Sequence, residues 1–171
     1  MPEITLFLLD HATATLLASE PEAFALRNGI MLAPHEPTTV AIAADTARFV
    51  AAGGARAPWL GYLALEGPHR RVVGTCGFKD GPDEDRAVEI AYLTFSGEEG
   101  RGVATAMAAA LVQVAREAGD EVAVVRAHTL PERNASCRVL EKVEFQRGEE
   151  VIDPEDGPVW RWELRTGAGG A

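Results

Sequence analysis

Between Val88 and Ala118 the hydrophobic period changes across a short glycine-spaced loop, and this stretch constrains the fold most. Val88–Phe95 has the composition of a β-strand and contains Glu89-Ile90-Ala91-Tyr92-Leu93-Thr94. Ser96-Gly97-Glu98-Glu99-Gly100-Arg101-Gly102 follows it. Val103 to Ala118 is then an Ala-rich segment with almost no polar side, which predicts a buried helix closed by Gly119. The first N–H groups of such a helix lack internal partners and point outward. With the helix dipole they form a site for an anion. Gly100 and Gly102 keep side chains out of that approach. A GxG spacing suits a plain tight turn equally well. No GK[ST] follows, and the loop lacks the third glycine and later acidic residue of a dinucleotide fold, so two common nucleotide sites are excluded.

Around this centre the pattern alternates between period two and period 3.6, as in a mixed α and β domain. A strand is expected at Ile4–Leu8, then helical pieces from His11 to Asn28, interrupted at Pro21 and stopped by Gly29. A second helix is expected after Pro37, capped by Thr38 or Thr39 and ending at Gly53-Gly54. Trp59–Leu65, Val72–Phe78 and Val88–Phe95 read as three antiparallel strands separated by Gly/Pro turns. Val122–Ala127 is a continuous apolar run of strand length, and a short helix follows from about Asn134 to Val143. Strands near Phe145–Ile152 and Val159–Arg165 complete the set. One domain is therefore expected over residues 1–165, with a disordered Gly- and Ala-rich tail at 166–171.

The chain has 171 residues, and 26 acidic against 16 basic side chains leave a formal net charge of −10. That surplus argues against a nucleic-acid partner, which requires clustered cations. It sits more easily with an amine-bearing one. The apolar runs fall far short of the ~20 residues a bilayer span needs. Met1-Pro2-Glu3 does not resemble the start of a signal peptide. Cys76 and Cys137 form neither a disulfide framework nor a metal clamp, and His11, His35, His69 and His128 have no metal-ligand spacing. A reduced cytoplasmic compartment is the expectation.

Gly100-Arg101-Gly102-Val103-Ala104-Thr105 and Asn134-Ala135-Ser136-Cys137-Arg138-Val139-Leu140-Glu141-Lys142 resemble two signature motifs of the GNAT acyl-CoA N-acyltransferases. The likeness is to the branch with the ribosomal-protein N-terminal acetyltransferases. It covers about Trp59 to Phe145, with the strand Val122–Ala127 in its expected place between the motifs. Two positions depart from the family pattern. Glu99 stands where Arg or Gln is usual, and Glu144 where Gly is usual before the aromatic.

The resemblance implies an α+β fold with a mixed, mostly antiparallel central sheet of six to seven strands flanked by helices. That sheet is splayed between its fourth and fifth strands. It also implies acetyl-CoA as cosubstrate, a small or peptide primary amine as acceptor, direct attack of the amine on the thioester, and room for a homodimer through the end strands. Carried over residue by residue, Glu89 takes the place of a general base and Ser136 that of the acid to the departing thiolate. Leu93, Thr94, Gly100, Arg101, Gly102, Val103, Ala104, Thr105 and Asn134 take cofactor-binding places. Plainer roles are open to each: Glu89 as an ion-pair partner, Ser136 and Asn134 as first-turn and capping residues. Tyr92 is a reserve acid or a packing residue. Arg133, Arg138 and Lys142 reach toward an outer phosphate or form a solvated face. Glu99, Glu144 and the lack of a Tyr at Val139-Leu140 motivate an alternative: a weak or inactive GNAT-fold module that binds acyl-CoA and regulates.

Overall fold

The computed structural model describes residues 1–167. Seven strands and five helices follow one another as β1 (Ile4–Leu9), α1 (His11–Ser19), α2 (Pro21–Asn28), α3 (Glu36–Ala51), β2 (Gly61–Glu66), β3 (Arg71–Phe78), β4 (Ala87–Thr94), α4 (Val103–Glu117), β5 (Val124–Thr129), α5 (Ala135–Lys142), β6 (Gln146–Asp153) and β7 (Gly157–Arg165). The strands form one sheet in the order β1-β2-β3-β4-β5-β7-β6. Every pairing is antiparallel except β4 with β5. None of the helices among the described residues is long and apolar enough to cross a membrane.

Local chemistry explains the helix ends. Asp10 accepts from the Thr13 N–H at 2.8 Å, and Thr13 returns a bond to the Asp10 backbone, so a capping box starts α1. Pro21 opens α2, where its missing N–H costs no internal bond, and Gly29 closes it in the left-handed conformation. Helix α3 starts at Glu36, before Pro37 rather than after it. Pro37 lies within its first turn, where a proline is tolerated for the same reason. Neither Thr38 nor Thr39 caps it; the Thr39 hydroxyl donates back to the His35 carbonyl at 2.7 Å. Phe145 lies in the turn between α5 and β6 rather than in β6, its N–H bonding the Leu140 carbonyl of α5 at 2.9 Å. Trp160 and Trp162 lie in β7, while Trp59 is a buried loop residue just before β2. At the C-terminus, Thr166 donates from its N–H to Ala123 and from its hydroxyl to Val122. The rest of the expected tail, 168–171, lies outside the described residues.

Two cores lie on opposite faces of the sheet. Under α4 and α5, Met107, Leu111, Cys137 and Leu140 pack on Val73, Val125, Ala127 and Trp162. Under α1 to α3, Ala14, Leu17, Phe24 and Ala43 pack on Leu63, Leu65 and Val72. The pairing register fixes which face each site residue takes. Leu63, Thr75 and Leu93 are cross-strand neighbours. Two and four residues back along β4, Ala91 and Glu89 share the face of Leu93. Glu89 is paired with Arg126, Arg126 with Glu163, and His128 with Arg161, which carries that face across β5 and β7. Tyr62, Cys76 and Tyr92 occupy the opposite face, with α4 and α5.

Candidate active site

The site begins where β4 and β5 part. They pair only through Ala87–Glu89 and Val124–Arg126. Beyond Glu89, β4 runs on through Ile90–Thr94 bonded to β3, while β5 continues through Thr129 bonded to β7. A wedge therefore opens between two parallel strands, and its β4 side offers backbone groups that β5 does not take. An extended ligand can add there as a strand would.

At the open end of the wedge the chain passes through the glycine loop into α4. Gly100 and Gly102 have φ of 77° and 85°, the left-handed region where a side chain is strained. A Cβ at Gly100 would have open space, whereas one at Gly102 would come within 3.3 Å of Pro2. Backbone conformation, more than crowding, therefore requires the glycine at 100. Gly102 caps α4 with no side-chain bond, leaving the first-turn N–H groups of Val103, Ala104 and Thr105 facing a cleft of about 300 Å³. Thr94, Gly100 and Gly102 line one side of this cleft, and Arg138, Val139 and Lys142 of α5 line the other.

The two glutamates of the loop, Glu98 and Glu99, also line this cleft, and each carboxylate is held by donors of its own. Glu98 is buried and clamped: both its oxygens are bonded by Arg71, Oε1 by His35 Nε2 at 3.0 Å, and Oε2 by Arg101 at 2.6 Å. The bonds from Arg71, helped by His35 and Arg101, outweigh its desolvation and hold this carboxyl down at about 2. Glu66 joins the same network, bonded by Arg71 at 2.9 Å and by Arg101 at 2.8 and 3.2 Å. Glu99 is exposed, and its carboxylate accepts from the Gly97 N–H at 2.7 Å. The Arg101 side chain is therefore turned onto Glu66 and Glu98 and does not line the cleft; only its backbone belongs to the loop.

Helix α5 brings the second motif to the wedge. Asn134 caps it, Oδ1 accepting from the Cys137 N–H at 3.0 Å. Two residues on, the Ser136 hydroxyl lies 3.2 Å from the Tyr92 hydroxyl on β4. Burial pushes the Tyr92 phenol up, with the Ser136 bond opposing, so Tyr92 keeps its proton and can donate to Ser136. Cys137 is fully buried, its sulfur 3.6 Å from the Thr129 hydroxyl. Arg133 is engaged by Glu141 through both nitrogens of its fork. Arg138 and Lys142 make no ion pair among the described residues and face the cleft.

On the other face, Glu89 stands at the fork itself. Its Oε1 receives Lys79 Nζ at 2.8 Å and His128 Nδ1 at 2.8 Å. Arg161 Nε lies 3.4 Å from the second ring nitrogen, Nε2. Nearby, Arg126 is held by Asp83, Asp85 and Glu163. Further along β4 this face becomes an open apolar groove of about 250 Å³ lined by Leu9, Ile42, Gly77, Ala91 and Leu93. Leu93 thus presents its side chain to the groove and only its backbone to the wedge.

Of the residues singled out from sequence, Thr94, Gly100, Gly102, Val103, Ala104 and Thr105 come together around the cleft, and Ser136 stands beside Tyr92. Lys79, His128 and Arg161, which surround Glu89, carried no sequence signal beyond alternation along their strands.

An anion cradle at a helix N-terminus, continuous with a splayed parallel strand pair, defines a fold that takes an extended ligand ending in phosphate. The family model of the acetyltransferase (GNAT) domain matches residues 4–146. The chain belongs to this family, whose members transfer an acetyl group from acetyl-CoA to an amine. Solved structures agree on the fold. An aminoglycoside acetyltransferase in complex with coenzyme A superposes with a TM-score of 0.68 at 20% identity, covering 97% of this chain and 96% of that one. A putative ribosomal-protein-serine acetyltransferase from Vibrio cholerae gives 0.66 at 14%, covering 96% and 95%. A ribosomal-protein alpha-N-acetyltransferase in complex with coenzyme A gives 0.64 at 14%, covering 95% and 93%. No curated protein matches the sequence.

Proposed function

We propose that this protein transfers an acetyl group from acetyl-CoA to a primary amine, carried by a peptide N-terminus or a small molecule, by direct attack. The observation that carries this reading is the continuity of the β4 edge, the glycine cradle and the cationic end of the cleft. The pyrophosphate takes the N–H groups at Val103 to Thr105, with Arg138 and Lys142 on the far wall. The pantetheine arm lies along Ile90–Thr94. Backbone N–H groups of that edge polarise the thioester carbonyl. The amine arrives from the face of Glu89, leaving its proton in the cluster around that carboxylate.

Attack forms the C–N bond; collapse breaks the C–S bond and leaves the electron pair on sulfur. The second amine proton balances the one the thiolate takes up, and Ser136, backed by Tyr92, is placed to hand it over. The enzyme works in the cytosol on amines rather than nucleic acid, and a homodimer through β6 and β7 belongs to the same proposal.

Purified protein with excess acetyl-CoA tests the first half. At ~100 times the dissociation constant the expected stabilisation is about 2.7 kcal/mol, or about 5–11 °C in Tm for a chain of this size. Thiol release across a panel of peptide and small amines tests the second. No stabilisation would defeat the reading. Stabilisation without release from any amine would favour a binding module instead.

A further inference from the structure

We propose that His128 is the proton acceptor for the incoming amine and that Glu89 is the positioning residue that fixes its ring. This assignment rests on the acetyl-transfer reading above. It starts from the two contacts of the imidazole. Arg161 Nε can only donate, so the nitrogen facing it at 3.4 Å, Nε2, must present a lone pair. Nδ1 then carries the hydrogen, which it donates to Glu89 Oε1 at 2.8 Å. Both bonds require the same neutral tautomer.

Position agrees with chemistry. Glu89 is the last β4 residue paired with β5. His128 lies two residues beyond its pairing partner Arg126, roughly 7 Å past the fork along β5, on the face from which the amine arrives. Glu89 Oε1 is already occupied by two donors, Lys79 and His128. The contact to Nε2, by contrast, is longer than the usual ~2.9 Å of a nitrogen hydrogen bond, so an ammonium N–H can replace Arg161 there. Charged groups surround the ring from every element packed near it: Lys79, Asp80 and Asp83 from the β3–β4 connection, Glu89 on β4, Arg126 on β5, Arg161 on β7, Asp153 at the end of β6 and Asp156 in the β6–β7 turn.

The step balances simply. The ammonium's first proton passes to Nε2, giving an imidazolium that keeps its Nδ1–H on Glu89. The nitrogen lone pair freed by that transfer forms the C–N bond. After release of the amide and the thiol, Nε2 returns its proton to solvent.

Two measurements decide the matter. Long-range ¹⁵N–¹H correlation on the ligand-free wild type, with the ring assigned through its backbone, is expected to show His128 protonated at Nδ1 alone at neutral pH. In Glu89→Gln that preference should weaken, and Lys79 loses its counter-ion. A wild-type ring protonated at Nε2 overturns the assignment. In steady-state kinetics, His128→Gln is expected to lower kcat by about 10²–10⁴-fold with acetyl-CoA affinity unchanged. It should also abolish the rising acid limb of the pH–rate profile. Glu89→Gln should lose less and keep that limb. The reverse ranking, with the limb lost in Glu89→Gln and kept in His128→Gln, overturns the assignment. So does a His128→Gln enzyme as fast as wild type. Wild type that binds acetyl-CoA and acetylates no amine instead fails the acetyl-transfer reading, and the assignment falls with it.

Discussion

Glu98→Gln tests whether the acidic loop opposes the cofactor or supports its cradle. In the folded protein this side chain takes bonds from Arg71, His35 and Arg101 and is buried. A glutamine of the same shape keeps one acceptor but turns an NH₂ group toward guanidiniums that can only donate. The carboxyl falls from 4.5 to about 2 on folding, mainly through the bonds from Arg71. At about 1.4 kcal/mol per pH unit this is worth about 3 kcal/mol. Arg71 and Arg101 both reach water, and screening leaves roughly 2 kcal/mol.

For a chain of this length that is a loss of about 4–8 °C in Tm near neutral pH. The sign with pH follows from the depressed folded value. The contribution is fully present above 4.5 and is lost as pH falls toward about 2, so the gap between wild type and variant should close over that window. Differential scanning calorimetry at several pH values, with acetyl-CoA titrated by calorimetry near neutrality, reads both parts. The expected result is a less stable variant that binds acetyl-CoA no better than wild type. An unchanged Tm together with tighter acetyl-CoA binding would refute the argument, because Glu98 would then be a charge repelling phosphate rather than the centre of a clamp.

Other variants probe the rest of the site. Glu144 ends α5 with φ of 72°, so Glu144→Gly should relieve about 1 kcal/mol and raise Tm by about 2–4 °C, with acetyl-CoA affinity unaltered. Replacing Arg138 and Lys142 together by Ala should weaken acetyl-CoA binding about tenfold in calorimetry. That loss should shrink as salt is raised, because these exposed cations act by screened charge. Asn134→Ala should cost about 1 kcal/mol in chemical denaturation, the worth of a helix cap, with little change in KM for the amine.

The cofactor half of the site is visible in the sequence because it is built from backbone. Gly100, Gly102 and the switch of period at Val103 state where a strand ends, where the chain must turn left-handed and where free N–H groups begin. Such features are local and need no partner. Asn134 and Ser136 are legible for the same reason, being the first residues of a helix. The rest of the site is built from pairs that meet only in three dimensions: on the far face Glu89 with His128 is a contact over 39 positions, and behind the cradle Glu98 with Arg71 is one over 27. Nothing in a strand's alternation says which strand lies beside it. His128 and Arg161 were therefore indistinguishable from any half-exposed polar residue until the order β4-β5-β7 put them side by side. Pro37 and Phe145 mark a smaller limit, the uncertainty of one or two residues at element ends that caps and turns resolve only in three dimensions.

The net charge of −10 looks like a guide to the acceptor, yet the acids around the site are nearly all spoken for. Glu98 and Glu66 share Arg71 and Arg101, Glu99 sits on the Gly97 N–H, and Asp83, Asp85 and Glu163 all hold Arg126. Glu89 is matched by Lys79. Arg161, Arg138 and Lys142 make no ion pair among the described residues, and they stand at the acceptor mouth and the phosphate cleft. The acids without an ion pair there among the described residues, Asp80, Asp153 and Asp156, leave part of the acidic surplus at the acceptor mouth, and the rest governs solubility and long-range steering. The β4 face adds short-range features: an apolar groove at Ala91 and Leu93, an imidazole at the fork, and a guanidinium beside it. On the proposed reading, an amine meets both signs of charge at this mouth, Lys79 and Arg161 against Asp80, Asp153 and Asp156, and an apolar body beside it meets the groove.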